Sequence, residues 1–169
     1  MRRLAGMIAV SVLSLAFAFS SVGCNDALDG IEVFQSDLSG ANEVPARGTA
    51  ARGTAGFNVQ GDVVTYSIEV HGITNVTGAH IHSGAAGVNG SIRIALFPRP
   101  GTNFLPTGTS TPGVNGILVE GGFRASDVVG ISYQQLLAEM RAGTCYTNVH
   151  TTTFPGGEVR GQVRAVSLD

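Results

Sequence analysis

Residues 63–70 read VVTYSIEV, and this stretch indicates the class of the fold. From residue 64 onward its even-numbered positions are apolar (Val, Tyr, Ile, Val), and the positions between them are polar (Thr, Ser, Glu). Side chains alternate between the two faces of a β-strand, so one face of this segment is expected to be buried and the other exposed. Such strands are typical of antiparallel sheets with one solvated face. The preceding Gly61-Asp62 pair is a hairpin turn signal, and it predicts a partner strand over residues 53–60.

Six further segments have the character of short strands separated by turn-rich sequence. They cover residues 31–38, 78–83, 91–97, 117–123, 145–150 and 157–166. Within one of them, Ile92, Ile94 and Leu96 are expected to face the core. With the two strands above, these segments predict an all-β domain of about eight strands, folded as a Greek-key antiparallel β-sandwich or barrel.

One short helix is expected near residues 132–142. Ser132 is suited to the N-cap, and Gln135, three residues on, completes a capping-box pattern. An apolar stripe follows, and Gly143 is expected to end the helix. The segment 98–116, rich in Pro, Gly and Thr, is predicted to be a long loop.

The composition limits the classes of function. Charged residues make up 13% of the 169 residues, and a net charge of −2 leaves no basic patch for nucleic acid. The sequence has no Cys-x-x-Cys pair for a structural zinc and no Gly-x-Ser-x-Gly elbow of a serine hydrolase. Residues 31–169 are enough for one domain with a single core.

The N-terminus has the pattern of a secretory signal. Two arginines are followed by an apolar run over residues 7–19 and by small residues up to Cys24. We interpret residues 1–23 as a lipoprotein-type signal peptide, Cys24 as the lipidated residue and residues 25–30 as a tether. Ser21 departs from the usual lipobox, so ordinary cleavage and release of a soluble protein is the alternative. Either route predicts a bacterial protein outside the cytoplasm, in the cell envelope or secreted.

The second cysteine, Cys145, is interpreted as a small buried apolar residue. It has no partner for a disulfide if Cys24 is lipidated. If Cys24 is not lipidated, a bridge between the two is the alternative.

Three of the four histidines are expected to lie on the polar faces of two strands. His80 and His82 are two residues apart, so they share a face, and they lie about 7 Å apart along the strand. The strand that contains His150 is the expected neighbour. Imidazoles in this arrangement suit copper or zinc, and His71, at the end of another strand, is the candidate fourth ligand. The alternatives are imidazoles hydrogen-bonded to backbone carbonyls or to Glu158, or a contact with a protein or glycan.

Several blocks of the sequence resemble the CHRD domain, first named from chordin. They are Phe34 with residues 38–45 (LSGANEVP), residues 79–82 (AHIH) with the glycines that follow, residues 146–151 (YTNVHT) and residues 154–162 (FPGGEVRGQ). The blocks occur in family order over most of the chain. The resemblance implies a binding module, because in chordin such domains accompany binding of growth factors.

A more distant resemblance concerns chemistry. The His80-Ile81-His82 strand and the later His150 are similar to strands that bind copper in copper–zinc superoxide dismutases, which are Greek-key β-sandwiches. Arg160 lies where those enzymes place an anion-guiding arginine. No histidine lies between His82 and His150, so the resemblance implies at most a three-histidine, copper-type site. For Arg160 the alternative is an ion pair with Glu43 or Glu158.

These observations leave three hypotheses of function. The first is a lipid-anchored cell-envelope binding module that binds copper through His80, His82 and His150, with a protein or glycan partner. The second is a copper-only, dismutase-like redox enzyme in which Arg160 steers the anion. The third is a structural or adhesion protein that binds no metal.

Overall fold

The computed structural model describes residues 30–98 and 113–167 of the chain. Within these ranges it contains nine β-strands and one α-helix. The strands are β1 (Ile31–Ser39), β2 (Arg52–Gln60), β3 (Val63–Ile73), β4 (Val76–Ser83), β5 (Ile92–Phe97), β6 (Val114–Arg124), β7 (Cys145–Thr151), β8 (Val159–Gln162) and β9 (Arg164–Val166). The helix α1 spans Tyr133–Ala142, and 3₁₀ turns follow β1 and β6.

All strand pairs are antiparallel, and the strands form one sheet that curls into a nearly closed barrel. The order is β5-β4-β7-β8-β1-β2-β3-β6, and β9 also pairs with β1. The chain crosses from β3 near one end of the sheet to β4 near the other, and it returns from β5 to β6 beside β3. This long-range crossover is that of a Greek key, so the predicted all-β fold is confirmed.

The alternation in β3 determines which of its faces is buried. Val64, Ile68 and Val70 are inaccessible to solvent, and Tyr66 donates a hydrogen bond across the core to the Leu96 carbonyl at 2.8 Å. The polar residues between them face outward. The interior of the barrel is therefore built from alternate positions of each strand, as a period of two requires.

The helix begins and ends as predicted. Ser132 caps its N-terminus by accepting a hydrogen bond from the Gln135 backbone N–H at 3.1 Å. Gly143 ends it in the left-handed region, at φ 66°, which glycine adopts without a steric penalty. The apolar stripe of the helix is buried in the core.

Two predictions about the strands need correction. Ile92 does not face the core but is 43% exposed, because β4 and β5 shift register there: Ile81 pairs with Ile94, whereas His82 pairs with Ile92. This bulge turns Ile92 to the outer face. The segment predicted as one strand over 157–166 is divided into two strands with different pairings along their length: β8 is paired with β7, whereas β9 is paired with β1.

Some predictions lie outside the described residues: the signal peptide, Cys24, most of the tether and positions 99–112 of the long loop. Cys145 is buried, as expected, and has no disulfide partner among the described residues, which do not include Cys24; burial raises the pKa of its thiol to about 12. In the described part of the chain, no helix is long and apolar enough to cross a membrane.

Candidate metal centre

The histidines are placed by the pairing of β4 with β7. Ala79 and Ile81 point into the core, so the residues between and after them, His80 and His82, face outward. The register pairs Gly78 with His150 and His80 with Asn148. Directly paired residues share a face, so the three imidazoles lie together on the outside of the barrel, as the sequence predicted.

The three rings converge at their nitrogen atoms. One ring nitrogen from each of His80, His82 and His150 lies within 4.8 Å of the other two. The ring centroid of His80 is 5.7 Å from that of His82 and 4.9 Å from that of His150. Metal–nitrogen bonds of about 2.0–2.1 Å require nitrogens roughly 3–4 Å apart. Side-chain shifts of about 1 Å would therefore bring all three onto one ion.

Two of the histidines are held in a defined tautomer. His82 Nδ1 bonds to the Gly90 carbonyl at 2.9 Å, and His150 Nδ1 bonds to the Pro155 carbonyl at 3.0 Å. A carbonyl oxygen only accepts, so each Nδ1 carries the proton and each Nε2 keeps a free lone pair. Both Nε2 atoms are buried and make no hydrogen bond of normal geometry, although the Asn148 side chain lies close enough to His82 to raise its pKa slightly against the effect of burial. Metal-binding histidines commonly donate their other N–H to a carbonyl in this way.

In His80 the nitrogen that faces the other two rings is Nδ1, whereas in His82 and His150 it is Nε2. The Nδ1 of His80 is buried without a partner, and the far side of its ring lies over Gly78, where an added Cβ would be 3.1 Å from His80 Cε1. Glycine at position 78 therefore leaves room for this ring orientation. The candidate ligand atoms are Nδ1 of His80 and Nε2 of His82 and of His150.

The environment keeps all three imidazoles neutral. Burial, with smaller contributions from the neighbouring His150 and His82, lowers the pKa of His80 to about 3. Burial also lowers the pKa of His82 and that of His150, against the opposing effect of their bonds to Gly90 and Pro155. Neutral imidazole is the form that binds a metal ion.

A glycine-rich loop over residues 84–90 covers one side of the site. It supplies the Gly90 carbonyl to His82, and the Gly90 N–H donates to the Tyr146 hydroxyl at 3.2 Å. A side chain at position 90 would overlap the Ser83 carbonyl. Glycine is therefore required where the loop returns against β4.

Arg160 is 1% exposed and anchors this loop from β8. Its guanidinium donates to the carbonyls of Ala85 and Val88 at 3.1 and 2.8 Å, and to Asn89 Oδ1 at 3.0 Å. Its Cζ lies 3.4 Å from the centroid of the Tyr146 ring. The two carboxylates considered from the sequence, Glu43 and Glu158, do not pair with it.

Those carboxylates have other surroundings. Glu158 accepts hydrogen bonds from Thr49 and Thr151, each at 2.8 Å, so it does not contact the histidines as one alternative proposed. Glu43 is buried, and burial raises its pKa although the charge of Arg160 opposes this rise. Glu43 also lines a cavity of about 650 Å³ beside Arg160.

His71 is not part of the group. It lies near the end of β3, its side chain is 38% exposed, and its Nε2 is 2.8 Å from Glu69 Oε1. Among the residues that the structure describes, His80, His82 and His150 form the single group of three or more potential ligands.

Sequence reasoning gave no role to Tyr146. Its ring stacks on that of His82, with centroids 4.8 Å apart and planes 7° apart. Tyr146 is on the same face of β7 as Asn148 and His150, so its position was predictable from the alternation. Its stacking was not, because that depends on the register between β4 and β7.

The arrangement offers three neutral nitrogen ligands and no carboxylate. His80 and His150 are only partly buried, so one side of the group faces solvent. Such a donor set suits copper or zinc and leaves a coordination position for a further ligand.

Comparison with known proteins supports the family resemblance. The family model of the CHRD domain matches residues 34–163, a range that contains all three histidines and Arg160. No curated protein and no solved structure match the chain. The match covers most of the chain and runs from β1 to the residue after β8, so the protein belongs to the CHRD domain family.

Proposed function

We propose that this CHRD domain is a metal-binding module that binds one copper ion through His80, His82 and His150. One observation carries the proposal: three buried ring nitrogens, none with a hydrogen bond of normal geometry, converge within 4.8 Å of one another. A buried polar atom without a partner is costly. A metal ion would satisfy all three at once.

Copper is the metal proposed because of the donor set. Imidazole binds both copper and zinc, and copper(II) forms the tighter complexes of the two with a given set of nitrogen ligands. The setting proposed for this chemistry is the bacterial cell envelope, with the domain anchored by lipid on Cys24 or secreted. The signal-like N-terminal sequence supports that setting.

The test is copper and zinc binding by the purified protein, measured by titration and elemental analysis. We expect one copper per chain. Loss of a group that hydrogen-bonds to a metal ligand commonly weakens metal binding about 10–100-fold, so loss of a ligand itself in His80→Ala, His82→Ala or His150→Ala is expected to cost at least roughly 100-fold. His71→Ala is the matched control and should bind copper as the wild type does.

Two results would contradict the proposal. One is a wild-type protein that binds neither metal, which would favour a structural or adhesion role in which the histidines only pack. The other is a loss of copper in His71→Ala equal to that in the cluster variants. Far-ultraviolet circular dichroism of each variant separates lost binding from lost folding.

A redox enzyme is the second candidate, and the open, partly exposed side of the histidine group favours it. In this case copper supplies the redox chemistry, and the three histidines hold it where a small molecule can approach. Superoxide removal by the copper-loaded protein, absent in His80→Ala, is the expected result. If the copper-loaded protein removes superoxide no faster than buffer does, the redox-enzyme hypothesis is rejected and only the binding module remains.

A further inference from the structure

His82, Tyr146 and Arg160 form a continuous stack beside the metal centre. The Tyr146 ring is parallel to His82, and the guanidinium of Arg160 lies directly over the same ring. A six-membered ring offers one face to each stacking partner, so Tyr146 lies between the imidazole and the cation. A guanidinium over an aromatic face is attracted by the electrons of the ring.

The charge in this stack is fixed, buried and not part of an ion pair. Arginine remains protonated in proteins, and this one is 1% exposed. In the part of the chain that the structure describes, Arg160 bonds to carbonyls and side-chain amides and makes no ion pair. Glu43 is the neighbouring acidic group; burial raises its pKa, and the charge of Arg160 opposes this rise without a direct ion pair between the two side chains.

A purely structural role would not require a cation at this position. Neutral donors can hold backbone carbonyls, and Gln162, two residues away on β8, does so for the carbonyls of Gly84, Gly143 and Cys145. Burying a charge costs far more than burying an amide. The position of the charge, one ring away from a metal ligand, is therefore the feature that needs an explanation.

We propose that the buried Arg160 guanidinium, stacked through Tyr146 onto His82, makes the three-histidine site prefer copper(I) over copper(II). This inference rests on the proposed copper site and adds the oxidation state that the site selects. A fixed positive charge repels a doubly charged ion more than a singly charged one. Within about 10 Å in a protein environment, one unit of charge changes such a preference by roughly tenfold.

The experiment measures the dissociation constants for Cu⁺, Cu²⁺ and Zn²⁺ in competition with chelators, with Cu⁺ handled under reducing, oxygen-free conditions. In Arg160→Gln, which keeps a planar donor and removes the charge, we expect the ratio of the Cu²⁺ to the Cu⁺ constant to fall about tenfold. That change corresponds to about 59 mV for a one-electron couple. Zn²⁺ has the charge of Cu²⁺ but no redox chemistry, so its binding should tighten together with that of Cu²⁺.

Two variants control for geometry and for overall charge. Arg160→Lys keeps the charge without the planar fork and should remain within about threefold of the wild-type ratio. Arg124→Gln removes an equal charge from an exposed pair with Asp62 at the β2–β3 turn and should leave the ratio unchanged. If Arg160→Lys behaves as Arg160→Gln does, the charge is not the cause and the proposal is overturned.

A second variant decides the matter if Arg160→Gln does not fold. Asn89 accepts from Arg160 Nη1 at 3.0 Å, so Asn89→Asp places a negative charge against the guanidinium; it keeps the shape of the side chain but loses the bond that Asn89 Nδ2 donates to the Val44 carbonyl at 2.8 Å. We expect the ratio to fall about threefold, less than for Arg160→Gln because Asn89 is exposed and its charge is screened. An unchanged ratio, or equal weakening of both copper states, would overturn the inference. A wild-type protein that binds no copper would instead refute the proposed function.

Discussion

The outward-facing residues differ in solvent exposure between the two halves of the sheet. On β2 and β3 the outward polar residues, such as Asn58, Thr65 and Glu69, are exposed to solvent. On β4, β7 and β8 the outward residues are equally polar, yet His82 and Asn148 are nearly inaccessible. The difference lies in what covers them, since the loops over residues 84–90 and 154–157 fold back onto the second half alone.

This difference creates a second, polar interior on the outside of the barrel. Its members are held by the loops that follow β4 and β7: Gly90 and Pro155 orient two histidines, and Arg160 anchors the loop that contains Gly90 through a bond across 72 positions of the chain. The atoms left without partners are concentrated here, including His82 Nε2 and Asn148 Oδ1. Most buried polar groups in this region have hydrogen-bond partners, and one small set does not. Such a region is a candidate binding site.

The largest expected effect comes from displacing the loop over residues 84–90 that covers the histidines. A methyl group at position 90 would overlap the Ser83 carbonyl, so Gly90→Ala should displace the loop and the carbonyl that orients His82. We expect a loss of about 2–3 kcal/mol in the free energy of unfolding, together with weaker copper binding. Denaturant unfolding measures the first quantity and copper titration the second.

Gly56→Ala is the matched control on the uncovered half. A Cβ at position 56 meets no atom within 4 Å, and alanine in a strand interior is favoured over glycine by about 0.5–1 kcal/mol. This variant should be as stable as the wild type or slightly more so. Equal destabilisation by the two substitutions would show that the loop does not distinguish the two halves.

A smaller effect is expected when the metal-free protein is acidified. The pKa of His80 is about 3 in the folded protein and about 6.5 in an unfolded chain. Between these values the unfolded state binds more protons, so stability must fall as the pH falls below 6.5. For His80 alone the loss between pH 7 and pH 5 is about 2 kcal/mol.

The variant His80→Gln separates this contribution from general acid effects. Its free energy of unfolding should fall less between pH 7 and pH 5 than that of the wild type, by about 2 kcal/mol. His71→Gln, at the exposed histidine of β3, is the control and should keep the wild-type dependence. A wild-type protein whose stability does not change over this range would contradict the burial of the histidine cluster.

Local patterns in the sequence predicted the fold and the shared face of the three histidines because both depend on short-range periodicity. The alternation in β3, the caps of α1 and the shared face of His80 and His82 all follow from residues within a few positions of one another. Ile92 was assigned to the wrong face because a bulge between β4 and β5 changes the alternation, and no single strand encodes its neighbour's register.

The surroundings of the candidate ligands could not be predicted in the same way. The ion pair of Arg160 with Glu43 or Glu158, considered as an alternative, is not formed, and the bonds of Arg160 go to the loop that contains Asn89. Glu158 meets Thr49, 109 positions away. Such partners depend on the tertiary packing of loops, for which sequence periodicity provides no signal.

The most direct test of the account is the crystal structure of the protein with copper bound. We expect one copper ion about 2.0–2.1 Å from Nδ1 of His80 and from Nε2 of His82 and His150. The bonds of His82 to Gly90 and of His150 to Pro155 should be retained. Copper bound elsewhere, for example at Glu69 and His71, or histidine rings turned to present the other nitrogens, would contradict the central claim.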